Sequence, residues 1–295
     1  MLTVVVGLTS ALVFGTADFL GGLSTKRLGA VLATGIAASV GIVVFLLLAL
    51  AIPGTWSWEA VGYGALSGVL GAIAIGLLYA CLAIGPMSIL SPLTALVSAI
   101  VPLAVAIALG DRIELLGWIG LGVGLIAVVF VGFVPEKGAV RPRVRGIVMA
   151  IGSGIAIGGF LIVIDRAPDD SGIIPLIANR TTNAAIMLSL AGIIALIAAA
   201  RRRSATGAER PRRAPGVLRT GLWLALLCGI VDAIANGGLL WGVRIGELSV
   251  MAVLTALYPI GTIVLARIVL KERIAPIQYV GLVLAIGASA LLALS

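Results

Sequence analysis

The sequence has no histidine and only two cysteines, Cys81 and Cys228, which excludes a histidine-based metal site or proton relay and any multi-bridge disulfide framework. It lacks a GxxxxGK[ST] loop, so no nucleotide-driven pump is built into the chain, and it lacks an HExxH helix and a Gly-x-Ser-x-Gly elbow. An aspartate pair is the one catalytic arrangement left, and carboxylates within apolar segments are equally explained by transport. The expectation is therefore a protein that is not an enzyme and has no cofactor or metal. Charged residues make up only 11% of the chain, against about a quarter of an average soluble domain.

What the sequence does have is apolar length. Hydrophobic residues are 61% of the chain, and apolar stretches fall near residues 3–24, 30–52, 60–83, 87–109, 114–134, 146–164, 172–198, 219–241, 247–269 and 276–294. Each is about 20 residues, enough to cross roughly 30 Å of hydrocarbon at about 1.5 Å per helical residue. Their interiors lack the alternation of barrel strands, and backbone groups in lipid must be satisfied within the segment, so the spans are helices. The expected class is an all-α membrane protein with ten transmembrane helices. The first stretch begins at Leu2 without a basic leader and contains Gly15-Thr16-Ala17-Asp18, so it is expected as a retained span rather than a cleaved signal.

The chain is also written twice. Sliding it by 161 residues superimposes Leu66–Leu121 on Leu227–Leu282 without a gap, with 20 of 56 positions identical. Composition alone gives about one match in ten, so the repeat is real. We read residues 1–134 as a first five-helix repeat, 135–145 as a linker and 146–295 as a second repeat. Five is odd, so the short linker delivers the second copy upside down: the halves form an inverted repeat, the arrangement from which alternating-access carriers are built.

The net charge of +8 does not mark a nucleic-acid binder, because the basic residues crowd into the loops on one side. That side collects Lys26, Arg27, Lys137, Arg141, Arg143, Arg145, seven arginines between Arg201 and Arg219, Lys271 and Arg273. The opposite side has Arg112, Arg166 and Arg244, with Asp165, Asp169 and Asp170 in a solvated loop. The positive-inside rule places the crowded side in the cytoplasm and both termini outside, for a multi-pass protein of the cell membrane. The segment 201–219 reads as a topology anchor against anionic headgroups, not as a functional site.

The 39 glycines fit close helix packing in lipid, as in Gly64-x-x-x-Gly68, Gly120-x-x-x-Gly124 and Gly154-x-x-x-Gly158. Gly120 and Gly124 superimpose on Gly281 and Ala285, which assigns the fifth and tenth spans equivalent scaffold roles. Prolines interrupt the matching spans four and nine, at Pro92, Pro102 and Pro259, and interrupted helices either point to a central site or form static bends.

Ten spans in two five-helix repeats, with Leu-Gly-Asp-Arg-Ile at 109–113 and Leu-Lys-Glu-Arg-Ile at 270–274 before the last helix of each half, resemble the EamA-type carriers of the drug/metabolite transporter superfamily. The resemblance covers the whole chain. It implies a central cavity framed by helices 1–4 and 6–9, with helices 5 and 10 peripheral. Relatives export amino acids and other metabolites, extrude drugs, or exchange nucleotide sugars and phosphorylated sugars. Several place their termini in the cytoplasm, whereas the charge bias here puts them outside.

Residues that break the internal symmetry are the candidates for touching cargo, since a scaffold serves both halves alike. Asp232 replaces Gly71 and Asn236 replaces Ile75 at the 161-residue shift; at a shift of 143, Asp18 faces Leu161, Arg180 faces Ala37 and Asn183 faces Val40. A charge facing lipid costs about 2.5–3.5 kcal/mol at mid-membrane, so Arg180 and Asp232 should point into the protein or a wet cavity. Two readings stand. Arg180 attracts a substrate carboxylate or phosphate while Asp232 or Asp18 holds an amino group or a proton, or Arg180 and Asp232 are an ion pair that fixes packing. Tyr258, like Tyr79 and Trp241, suits either a cavity wall or an interfacial anchor. Thr94 and Thr255 match across the repeat and are expected to bond their own backbone; Ser91 and Asn179 are open.

The function expected is a secondary carrier exporting a small organic metabolite such as an amino acid, with protons as a candidate coupling ion. A multidrug or cationic-compound exporter is the alternative, and a non-transporting membrane scaffold a weaker one. The partners are then a small-molecule substrate and the lipid bilayer, with no nucleic acid; monomer and homodimer are both compatible.

Overall fold

The computed structural model describes residues 1–84, 87–110, 113–132, 143–204, 215–269 and 275–294. Among them are eleven α-helices, a single short 3₁₀ turn at Asp169–Ser171, and no strand. The helices are α1 (Leu2–Leu28), α2 (Ala30–Ala49), α3 (Trp58–Ile84), α4 (Met87–Leu109), α5 (Leu115–Gly132), α6 (Val144–Asp165), α7 (Ile174–Ser204), α8 (Pro215–Ile245), α9 (Leu248–Thr255), α10 (Pro259–Val269) and α11 (Pro276–Leu294). Six of them, α1, α2, α3, α6, α7 and α8, carry stretches long and apolar enough to cross a membrane, and four shorter apolar stretches lie at Leu93–Leu109, Leu115–Phe130, Leu248–Thr262 and Pro276–Leu292. Many large apolar side chains face outward, among them Leu47, Ile194, Trp223, Val283 and Ile286, as lipid-facing surfaces require. The turns expected at 109–113 and 270–274 and the linker at 135–145 fall largely outside the described residues, as does most of the segment 201–219.

Local chemistry sets the boundaries. Gly29 takes φ 89° between α1 and α2, and its N–H closes the last turn of α1 on the Thr25 carbonyl at 2.9 Å. Ser57 caps α3 by accepting the Ala60 N–H at 3.0 Å.

The ninth span, expected as one bent helix, is two. Pro259 has no N–H to return to the Thr255 carbonyl; the Tyr258 N–H takes it instead at 3.0 Å, three residues away. The helix ends in the turn 256–258 and restarts with proline at its first position, where the missing donor costs nothing. The fourth span, by contrast, runs unbroken from Met87 to Leu109 past Pro92 and Pro102.

Helix neighbours follow one rule. α1 lies along α8 and α3 along α6; α2 meets both α7 and α8, and α3 meets α7; α4 packs on α6 while α1 packs on α9 and α10. α4 also meets α9, and α5 pairs with α11. Exchanging α1, α2, α3, α4 and α5, in order, with α6, α7, α8, α9 with α10, and α11 carries each of these pairings onto itself or onto another member of the set. Small residues make the approaches possible. Side-chain carbon added at Gly64 or Gly68 would strike the α7 carbonyls of Pro175 and Asn179, and at Gly229 the Ala37 carbonyl of α2. Gly120 faces Leu292 of α11, and Gly124 lies closest to Val253 of α9, with Ala288 of α11 next. Hydroxyls add interhelical bonds: Ser24 to the Gly221 carbonyl at 2.9 Å, Ser153 to Ala74 at 2.8 Å. Thr94 donates to its own helix at Leu90, 3.0 Å, and to Ala150 of α6, 3.1 Å. Thr255 departs from the expectation. Its hydroxyl is buried with no hydrogen-bond partner among the described residues.

Candidate functional site

A cavity of about 100 Å³ is bounded by α1, α2, α3, α7 and α8. Its wall uses the C-terminal half of α1 from Ala17 to Thr25, the N-terminal half of α2 from Ala33 to Ala38, and Ala225, Cys228 and Asp232 of α8. These segments converge on the turn that carries Lys26 and Arg27, so the cavity extends toward the side where the basic loops crowd. α5 and α11 contribute nothing to it.

Three charged residues share this wall: Asp18, Arg180 and Asp232. Arg180 Nη2 stands 2.7 Å from Asp232 Oδ2, with the two side chains 12% and 23% exposed. The aliphatic stem of Arg180 runs past Gly41, whose added Cβ would sit 3.2 Å from Arg180 Cδ. α2 therefore presents its backbone to the arginine, which frees the guanidinium to reach α8. Asn236, one turn beyond Asp232, donates to the Asp232 carbonyl at 2.8 Å and to its Oδ1 at 3.2 Å. The Asp232 carboxylate is thus held from both sides.

Arg180 Nε, packed beside Gly41, is buried without a hydrogen-bond partner among the described residues. Asp18, exposed to the cavity, makes no ion pair with a described residue. It lies in the field of Asp232, so two carboxylates and one guanidinium share the space. Once Arg180 and Asp232 neutralise each other, the Asp18 carboxylate is the uncompensated charge.

The six residues singled out from sequence thus divide. Asp18, Arg180 and Asp232 meet in the cavity. Asn236, 2% exposed, lies behind it as a support for Asp232. Asn183, also buried, sits where α7 faces Gly71 of α3, and its side-chain oxygen has no hydrogen-bond partner among the described residues. Tyr258 stands in the turn between α9 and α10, near enough to Asp18 to interact electrostatically but outside the cavity wall. Trp241 is half exposed on the outside of α8, and the side chains of Tyr79 and Ser91 are outside the described residues. Asn179 bonds Ser67 of α3 at 2.8 Å and holds α7 to α3.

The cavity also has members that sequence reasoning passed over. Cys228 donates to the Ala17 carbonyl at 3.3 Å, and Ser24, Thr25 and Thr34 bring hydroxyls to the wall. The only prior signal was the density of small residues on facing stretches of α1, α2 and α8, which leave room where larger side chains would fill it.

Residues 144–294 match the model of the EamA-like transporter family. A solved structure described as "Crystal structure of protein" is similar over 99% of this chain and 98% of its own length, with a TM-score of 0.74 and 19% identity, a likeness of fold. No curated protein matches the chain.

Proposed function

Because this chain belongs to the EamA-like transporter family, we propose that it is a secondary carrier that moves a small amine-bearing metabolite, such as an amino acid, out of the cell by alternating access. The observation that carries the reading is the cavity with Asp18, Arg180 and Asp232 in one wall. A static scaffold gains nothing from a partly wet space holding three charges at membrane depth. The protein is a multi-pass integral membrane protein. In our reading its ten spans are two five-helix units, 1–134 and 146–295, joined by 135–145 and related by inversion in the cell membrane. The odd helix number per unit and the exchange-invariant pairings support this arrangement.

Opposite charges in one cavity suit a zwitterion. The substrate amine meets Asp18, and a carboxylate takes a guanidinium N–H of Arg180 in exchange for Asp232. Asp18 accepts a proton when the amine leaves, which gives the cycle its driving ion. A second reading, export of organic cations, is favoured by one feature: Asp232 already neutralises Arg180, so the net charge seen by cargo is that of Asp18.

Counterflow in proteoliposomes loaded with amino acids or with lipophilic cations separates these readings. Amino acid flux is expected in the wild type, and Asp18→Asn should lower it about 10- to 100-fold, the worth of one charge-assisted bond, at unchanged folded yield. Flux of cations alone would transfer the assignment to the second reading. Absence of flux for every compound by a folded protein would remove the carrier reading.

A further inference from the structure

At the end of the molecule opposite the cavity, Arg244 ties α8 to the loop between α6 and α7. Arg244, at the C-terminal end of α8, donates through Nη2 to the Pro168 carbonyl at 3.2 Å and to Ser171 Oγ at 3.0 Å, and its Nε lies 4.0 Å from Asp169 Oδ1. The segment between α6 and α7 is therefore not the free solvated loop that its composition suggests. It is also tied to the α2–α3 connection: the Thr55 N–H bonds the Asp170 carbonyl at 2.8 Å, and Gly54 lies directly against Ser171 and Gly172.

Beneath this contact is an apolar layer. Phe45 of α2, Ile173 just before α7, Leu176 of α7, and Leu239, Leu240 and Val243 of α8 belong to one buried cluster. Leu176 precedes Arg180 by one turn and Leu239 follows Asp232 by two. Along both helices the order is thus the same: charged cavity, apolar layer, Arg244 contact. An apolar layer alone resists water but has no geometric preference. A guanidinium that donates to a carbonyl and a hydroxyl, with a carboxylate 4.0 Å away, does have one.

We propose that Arg244 and the 166–173 loop form a latch that holds the side opposite the cavity closed, and that the pathway opens there only when this contact breaks. The proposal goes beyond the carrier reading and rests on it only for its purpose, since closure can be measured with no solute moving.

The test places a reporter under the latch. Val243→Cys is close to isosteric and, in a Cys81→Ser/Cys228→Ser background in nanodiscs, reports access to a charged methanethiosulfonate. Thr34→Cys in the same background reports the cavity. Adding Arg244→Ala should speed modification at position 243 about tenfold, the effect of removing one charge-assisted contact from the closed state. The rate at position 34 should stay level or fall. Asp169→Asn/Ser171→Ala, which removes the partners instead, should act in the same direction and decides the matter if Arg244→Ala does not fold. An unchanged rate at 243 in the folded variant, or equal acceleration at 34 and 243, would overturn the latch.

Discussion

Asp232→Ala will destabilise the protein by about 3 kcal/mol, the lower part of the range for removing one partner of a buried ion pair. The loss comes from Arg180 rather than from the deleted carboxylate. Its guanidinium, 12% exposed and 2.7 Å from Asp232, has its stem packed against Gly41 and would lose the carboxylate at Nη2 while staying largely buried. Asn236 fares better because it keeps the Asp232 backbone carbonyl as an acceptor. Thermal unfolding of a double-mutant cycle isolates the pair. Arg180→Met/Asp232→Ala removes both charges while preserving the arginine's apolar length, and it should recover most of the stability lost by Asp232→Ala. On the proposed cycle it should not recover counterflow, because a cargo carboxylate would find no donor where Arg180 stood. If the double variant is no more stable than Asp232→Ala, the pair contributes no coupling, and Asp232 must be held by something other than Arg180.

The pairing of Arg180 with Asp232 was open to sequence reasoning because both residues break the internal repeat. An arginine opposite alanine and an aspartate opposite glycine cannot serve a scaffold common to both halves. The apolar runs likewise set the helices, because roughly 20 residues without a turn signal leave the backbone little alternative in lipid. What sequence did not disclose depends on tertiary approach. Asn236 and Asp18 look alike as lone polar residues in apolar runs, yet one braces Asp232 from behind while the other faces the cavity. Pro259 marked an interruption. Whether it would bend or divide the helix turned on whether the Tyr258 N–H could claim the Thr255 carbonyl. The Arg244 latch joins a helix end to a loop 73–76 residues away in the chain, and nothing in either segment's composition names the other.

Gly15→Ala will be among the most damaging single-methyl additions in the chain, although alanine is the better helix former by about 1 kcal/mol. The added Cβ would overlap the Tyr258 carbonyl and lie 2.7 Å from Gly261 Cα and from Thr262 N. All three are backbone, so no rotamer change relieves the clash and α1 must move away from α10. That movement strains the Thr262 Oγ1 bond to the Gly15 carbonyl, now 3.0 Å. It also opens the reciprocal contact in which Gly261 backs onto Leu12 and Gly15. Overpacking of this kind costs about 2–3 kcal/mol. Gly22 is the control: it lies on the same helix with nothing within 4 Å of an added Cβ, so Gly22→Ala should leave thermal stability level or slightly higher. The functional consequence is larger than the stability loss, because Asp18 sits less than one turn beyond Gly15 and rides on the same displacement. Counterflow should therefore fall in Gly15→Ala even below its melting temperature, while Gly22→Ala keeps it. Equal melting temperatures for the two variants would mean that α1 and α10 do not approach as closely as the Gly15–Gly261 contact requires.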